Sequence, residues 1–220
     1  MTFKTLDDFD DGDISEWTNR MGYISTVTNP VESGSHAVTV QDENGKYEIY
    51  EAAERSVTPE KYERIRFYFR ETTNNSNLGL GLYNGSTLIV GAGTDNPAWE
   101  YKNDSSSDAN WADGGSYYDI WTRVTFDFDW SSGTVDINWR YVDGSESDTQ
   151  TGISLNSNSK IDTIRLGSNE NTTTANEAWI DSIYSDPPYF PITIDGEKVQ
   201  EITIDGQSVQ SLTIDGTNPF

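Results

Sequence analysis

The sequence predicts an all-β protein: an antiparallel β-sandwich followed by a short C-terminal β-repeat. Three observations carry that expectation. Several runs alternate strictly between apolar and polar residues. Helical periodicity is nearly absent, its best candidate being a single turn at Pro59-Glu60-Lys61-Tyr62. The end of the chain repeats with a ten-residue period.

Strands are expected at about 2–7, 22–28, 35–41, 46–52, 64–71, 77–83, 87–92, 98–102, 120–130, 134–142, 160–167 and 178–184, separated by Gly, Asn, Asp and Ser clusters. Three show clean period-two alternation. In Arg64–Arg70, Ile65, Phe67 and Phe69 oppose Arg64, Arg66, Tyr68 and Arg70. In 121–130, Val124, Phe126, Phe128 and Trp130 oppose Arg123, Thr125, Asp127 and Asp129. In 134–142, Val135, Ile137, Trp139 and Tyr141 oppose Asp136, Asn138 and Arg140. Each such strand buries one face and solvates the other. Ser131-Ser132-Gly133 reads as the hairpin loop between the last two. Asn103–Ser116 is a long polar loop with one aromatic, Trp111.

Asp186-Pro187-Pro188-Tyr189-Phe190-Pro191 is a stiff boundary, which gives a domain at 1–186 and a tail at 187–220. The tail holds Ile192-Thr193-Ile194-Asp195-Gly196, Ile202-Thr203-Ile204-Asp205-Gly206 and Leu212-Thr213-Ile214-Asp215-Gly216. Asp-Gly between β-branched runs signals a tight turn, since Gly supplies the positive φ the turn demands. Strands Glu197–Ile204 and Gln207–Ile214 then form a meander, bent near Gln200 and Gln210 to keep one apolar side. So short a segment rarely folds alone. The favoured reading is self-association into an intertwined trimeric stem that anchors the chain to a larger assembly. The alternative is a small meander packed on its own sandwich.

The charge excludes several partners. The chain has 220 residues with 37 Asp+Glu against 14 Lys+Arg, a net charge of −23. Nucleic acid needs a basic footprint, and an anionic membrane surface repels such a chain. No run approaches the length of a membrane span. The start shows no basic region followed by an apolar one, so no secretory signal is expected. Cys is absent, which removes disulfides, thiolate metal sites and Cys nucleophiles. Acid spread along the whole chain destabilises the fold in ordinary buffer, whereas molar salt screens the repulsion. The composition therefore points to a salt-loving organism or its virus, the alternative being an acidic mesophilic surface.

Residues 1–186 resemble the concanavalin A-like lectin/glucanase superfamily, especially its laminin-G-like jelly rolls. The resemblance lies in the opening Asp8–Trp17, in Ser33–Val40, in the block from Trp121 to Gly144, and in the close Ala178-Trp179-Ile180-Asp181-Ser182-Ile183. It implies two curved antiparallel sheets with glycan binding at a concave face or edge loops. The tail resembles Ile-Asp-Gly repeats of haloarchaeal tailed-virus structural proteins. Laminarinase-like members carry Glu-x-Asp-x-x-Glu on one strand. The nearest string here, Glu146-Ser147-Asp148-Thr149-Gln150-Thr151, lacks the final acid. Glycoside hydrolysis needs two carboxylates flanking the scissile bond, so no enzyme is expected.

Sugar recognition combines an aromatic platform with planar polar groups. The candidates are Trp99, Tyr101, Trp111, Tyr117 and Tyr118, which bracket the long loop. Trp111 is open between a sugar platform, a loop anchor and a subunit contact. Trp17, Trp121, Trp139 and Trp179 are expected in the core. Arg66, Arg70 and Arg140, with Arg123, Tyr68 and Asn138, lie on polar strand faces. They suit an acidic or sulfated glycan, or else pair across strands with Asp127, Asp129 and Asp136. Asp10, Asp11, Asp13 and Asp181 offer oxygen ligands for a structural Ca²⁺ joining the first and last strands, as the resemblance implies, or form a solvated acidic turn. His36, the sole histidine, reads as structural, and four N-glycosylation sequons as chance.

These expectations combine into a non-enzymatic surface protein of a halophilic virus: a capsid turret, decoration or tail-fibre head. It would be assembled in the host cytoplasm, sit among other virion proteins as a homotrimer, and present glycan sites to a host S-layer glycoprotein. The alternatives are a purely structural virion protein or a free carbohydrate-binding module.

Overall fold

The computed structural model describes residues 4–42, 50–71, 78–95, 98–103, 109–113, 119–168 and 177–186, and four tail segments. The chain divides into two compact units, Met1–Pro188 and Tyr189–Phe220.

The first unit is a sandwich of two antiparallel sheets. One contains β13 (Ser147–Ser154), β12 (Thr134–Tyr141), β11 (Thr122–Asp129), β6 (Arg64–Glu71), β15 (Glu177–Ser185), β4 (Ala37–Asp42) and β3 (Gly22–Val27), in that order. An eighth strand, β1 (Lys4–Asp7), pairs with β15, so the first and last strands of the unit lie together. The other sheet has seven strands: β10 (Ala109–Asp113), β9 (Ala98–Lys102), β8 (Thr87–Asp95), β7 (Leu78–Asn84), β14 (Ile161–Ser168), β5 (Ala53–Glu60) and β2 (Thr18–Asn19).

The three alternating runs are β6, β11 and β12, neighbours in the centre of the eight-stranded sheet. Their apolar parity points inward. Phe67 stacks on Phe126 at 6.2 Å, and Phe126 on Phe128 at 6.2 Å. Trp139 stacks across the sandwich on Trp99 of β9 at 5.6 Å. Aromatic rings thus fill much of the space that a chain with 34% hydrophobic residues cannot fill with aliphatics.

The β11–β12 hairpin closes through Ser131-Ser132-Gly133 as expected. Gly133 takes φ 71° and donates to the Asp129 carbonyl at 2.9 Å. Asp129 Oδ1 accepts from the Ser131 and Ser132 amides and the Ser131 hydroxyl, and those bonds hold its carboxyl down to about 2.

Four strands differ from expectation. β13 lies outside the expected strands; it is an edge strand with Ile153 as its one buried residue, so no apolar alternation marks it. β10 lies in the long polar segment. β5 replaces the expected helical turn, with Pro59 between the paired residues Ser56 and Glu60, where the register shifts and no ladder amide is needed. β2 is a two-residue strand with no periodic pattern to read. Conversely, Tyr50–Ala52, expected in a strand, lie outside any.

In the second unit, β16 (Thr193–Ile194) pairs with β17 (Glu197–Lys198), and β18 (Thr203–Ile204) with β19 (Gln207–Ser208). Ile194 faces Glu197 and Ile204 faces Gln207, the registers that two-residue Asp-Gly turns impose. The rest of the expected meander, including the third repeat, lies outside the described residues.

Candidate functional site

Because β6, β11 and β12 bury their apolar parity, their other parity builds the outer face of the eight-stranded sheet. Cross-strand register arranges it in rows. One row runs Ser147, Arg140, Arg123, Tyr68, Asp181. The next runs Thr149, Asn138, Thr125, Arg66, Tyr184. A third is aromatic. Arg70 pairs with Trp179 of β15 and lies over its ring at 5.7 Å. Trp121 precedes Thr122, whose partner is Phe69, so it stands beside Arg70 on the other flank. Trp121 and Trp179 are both half-buried and neither belongs to the core cluster.

Arg residues on this face meet acids unequally. Arg64 pairs with Asp127 and, at 3.3 Å, with Asp186. Arg70 reaches Asp119 at 3.4 Å. Asp136 instead accepts the Gly152 amide at 2.7 Å, and Asp129 caps its hairpin. Burial, then the neighbouring Arg123, pulls the Arg66 guanidinium below its ordinary value. Burial, with Glu32 nearby, pushes the Tyr68 phenol up.

The outer face of the seven-stranded sheet is built differently. Gly81 of β7 and Gly91 of β8 are adjacent in register, and the ring of Tyr50 lies on both. A Cβ at either position would come within 2.4 Å of that ring, so only glycine admits it. Tyr50, Tyr83 and Leu88 form a second buried apolar cluster there. Beside it, Arg165 bonds Glu51 and, at 3.1 Å, Glu54, while Arg20 bonds the same two acids. Arg165 also lies 4.1 Å over the Tyr83 ring. Burial pushes the Tyr83 phenol up to about 12.

The structure redistributes the candidates. Trp99 offers no surface to a sugar: it is 1% exposed, stacked on Trp139 and edge-on to Phe69 at 6.1 Å. Tyr101 shares its parity and packs half-buried against the core. Trp111 lies at a bulge, between Asn110 and Ala112, where β10 pairs with β9. Its side chain, and all of Tyr117 and Tyr118, lie outside the described residues. Trp17 and Trp139 are core, as expected. Trp121 and Trp179 are not. For Trp121 the parity it shares with Arg123 is the readable signal; for Trp179, Ala178 and Ile180 on either side hide the alternation, and only the cross-strand register sets it opposite Arg70. Arg66, Arg70 and Arg140 do share one face with Arg123, Tyr68 and Asn138.

The acidic candidates serve as hydrogen-bond acceptors for nearby backbone and hydroxyl groups. Asp181 Oδ2 accepts the amides of Glu32 and Ser33 at 2.8 and 3.1 Å, and Oδ1 accepts the Ser182 hydroxyl. Asp10 accepts the Ser35 amide, while Asp11 and Asp13 accept the amides of Asp13 and Ser15. Asp181 thus has both oxygens engaged by protein donors, while Asp10, Asp11 and Asp13 each engage Oδ1 in a backbone turn or loop bond. Among the described residues no three acidic or histidine side chains converge on a metal-sized point. His36 lies against the Asp10 carbonyl at 3.0 Å and the Ser35 hydroxyl at 2.9 Å, tying the opening acidic turn to residues 35–36.

No known family matches the chain, and no curated protein does. Solved structures match in fold. A sialidase superposes with TM-score 0.57 at 16% identity over 84% of this chain, which spans 18% of that protein. Xylan β-1,4-xylosidase from Bacillus halodurans C-125 superposes with TM-score 0.56 at 10% identity over 84% of this chain and 40% of its own. The cellulose-induced protein Cip1 superposes with TM-score 0.53 at 18% identity, over 80% of this chain and 94% of its own. The first unit therefore shares its two-sheet antiparallel jelly-roll fold with these proteins. Among the described residues no helix is long and apolar enough to cross a membrane.

Proposed function

We propose that the chain is a non-enzymatic glycan-binding protein whose platform is the row Trp121, Arg70, Trp179 on the outer face of the eight-stranded sheet. One observation carries this reading: two half-buried indoles outside the core cluster flank the Arg70 guanidinium on the outer face of the sheet. An indole packs on the apolar face of a pyranose while a planar cation takes its hydroxyls. The acids on that face are otherwise engaged: Asp119 pairs with Arg70, Asp127 with Arg64, and Asp181 accepts the Glu32 and Ser33 amides. The setting we infer is the surface of a halophilic virus, with the repeat tail joining copies and anchoring them. Net charge −23 and the ten-residue repeat support that reading. Several copies would raise avidity toward a host glycoprotein by ~10²–10⁴ over one site.

The test is a glycan panel titrated against the full chain in molar salt, read by tryptophan fluorescence. Trp179→Ala and Trp121→Ala are expected to weaken binding roughly tenfold or more with the circular dichroism spectrum unchanged. No binding to any glycan, or release of reducing sugar, overturns the reading. Tm measured from 0.1 to 3 M KCl tests the halophilic setting, where stability rises with salt.

A further inference from the structure

The row next to the platform holds two arginines that the fold leaves uncompensated. Arg123 of β11 and Arg140 of β12 are directly opposite each other. Like charges in that position repel and destabilise a sheet. In a chain with 37 acids against 14 cations, a carboxylate partner is easily supplied. Yet among the described residues neither has one: their row neighbours are Ser147 and Tyr68, and the acids on the same face serve Arg64, Arg70 or backbone amides. Arg123 Nε is buried with no hydrogen-bond partner. The cost of burying that N–H and of facing two cations is borne without any internal return.

We propose that Arg123 and Arg140 take the anionic group of a saccharide, carboxylate or sulfate, and so select acidic glycans; the proposal rests on the glycan-binding reading above. Two guanidinium forks on adjacent strands, whose backbones run ~4.8 Å apart, bracket a planar or tetrahedral oxyanion, and each fork donates two parallel bonds to it. Arg123 lies two residues along its strand from Trp121, about 7 Å. A ring stacked on the platform therefore places a substituent, or the next sugar's anion, over the pair. Ligand binding then relieves the repulsion that the empty face holds. The net charge of −23 disfavours a polyanion over most of the chain, so the preference is expected at this patch. Fork-to-oxyanion hydrogen bonds survive where molar salt screens a bare point charge.

The experiment titrates the full chain with two matched pairs, polygalacturonate against its methyl ester and dextran sulfate against dextran, at 0.5 M and 3 M KCl. The anionic member of at least one pair is expected to bind ten- to a hundredfold tighter, and the pair that shows it identifies carboxylate or sulfate. Arg123→Gln with Arg140→Gln abolishes the difference. The Arg123→Lys, Arg140→Lys chain keeps the charge and loses the fork. It retains less than half of the preference in logarithmic terms and serves if the Gln chain fails to fold. Equal binding within both pairs overturns anion selection and leaves glycan binding standing. An anionic preference that survives both double variants overturns the assignment to this pair. No binding by any of the four probes or by the wider panel overturns both readings together.

Discussion

The two outer faces of the sandwich treat charge in opposite ways. On the seven-stranded sheet, Arg20, Arg165, Glu51 and Glu54 form a closed alternation in which every fork meets a carboxylate. On the eight-stranded sheet, Arg123 and Arg140 face each other with no acid between them. The first arrangement completes itself inside the chain and explains its own presence as structure. The second is incomplete, and a ligand completes it. Charge that is balanced and buried marks architecture; charge left unbalanced beside half-exposed indoles marks a surface for something else.

The largest effect should come from breaking the closed network. Arg165→Ala leaves Glu51, 4% exposed, without one of its two cations, and is expected to cost about 3–5 kcal/mol in urea unfolding. A cost under about 1 kcal/mol would show that the network is as dispensable as a surface pair.

A smaller effect concerns the sandwich interior between the faces. Glu71 is 1% exposed, bonds Thr94 of the opposite sheet, and leaves Oε2 without a partner. Burial pushes its carboxyl well above the ordinary value. The folded state thus holds a proton that the unfolded chain gives up, so this group's stabilising contribution is full below the unfolded value and is lost as pH rises toward the folded one. Glu71→Gln is expected to raise Tm by a few degrees at pH 7–8 and to leave it unchanged near pH 4. A variant with the same pH profile as the parent would remove Glu71 as the source.

The smallest effect sharpens the contrast most. Arg123→Gln alone removes one member of a repelling pair, so stability should stay within about 0.5 kcal/mol or rise. A loss of 2 kcal/mol or more would mean that Arg123 is architectural, and the two faces would no longer differ in kind.

How much was legible in advance follows from parity. The rows of β6, β11 and β12 were readable because one parity is apolar throughout, and that set Arg66, Arg123, Asn138 and Arg140 on a single face. β13 was unreadable because an edge strand with one buried residue has no apolar parity. The indoles were misassigned for a related reason. Trp99 stands in a strand that also buries Glu100 and Lys102 on its other parity, so polarity did not report direction. Trp179 stands between Ala178 and Ile180, so its own direction was masked. The closed Arg–Glu network gave no local signal at all, since its members come from positions 20, 51, 54 and 165.

Local order therefore decided β6, β11 and β12, the hairpin at Ser131–Gly133 and the Asp-Gly turns, because alternation and turn chemistry act between near neighbours. Tertiary structure alone decided which indoles are core, which acids cap amides, and which arginines find a partner. Those outcomes depend on which strands become neighbours and in what register, and residues distant along the chain meet only after the sheets have formed.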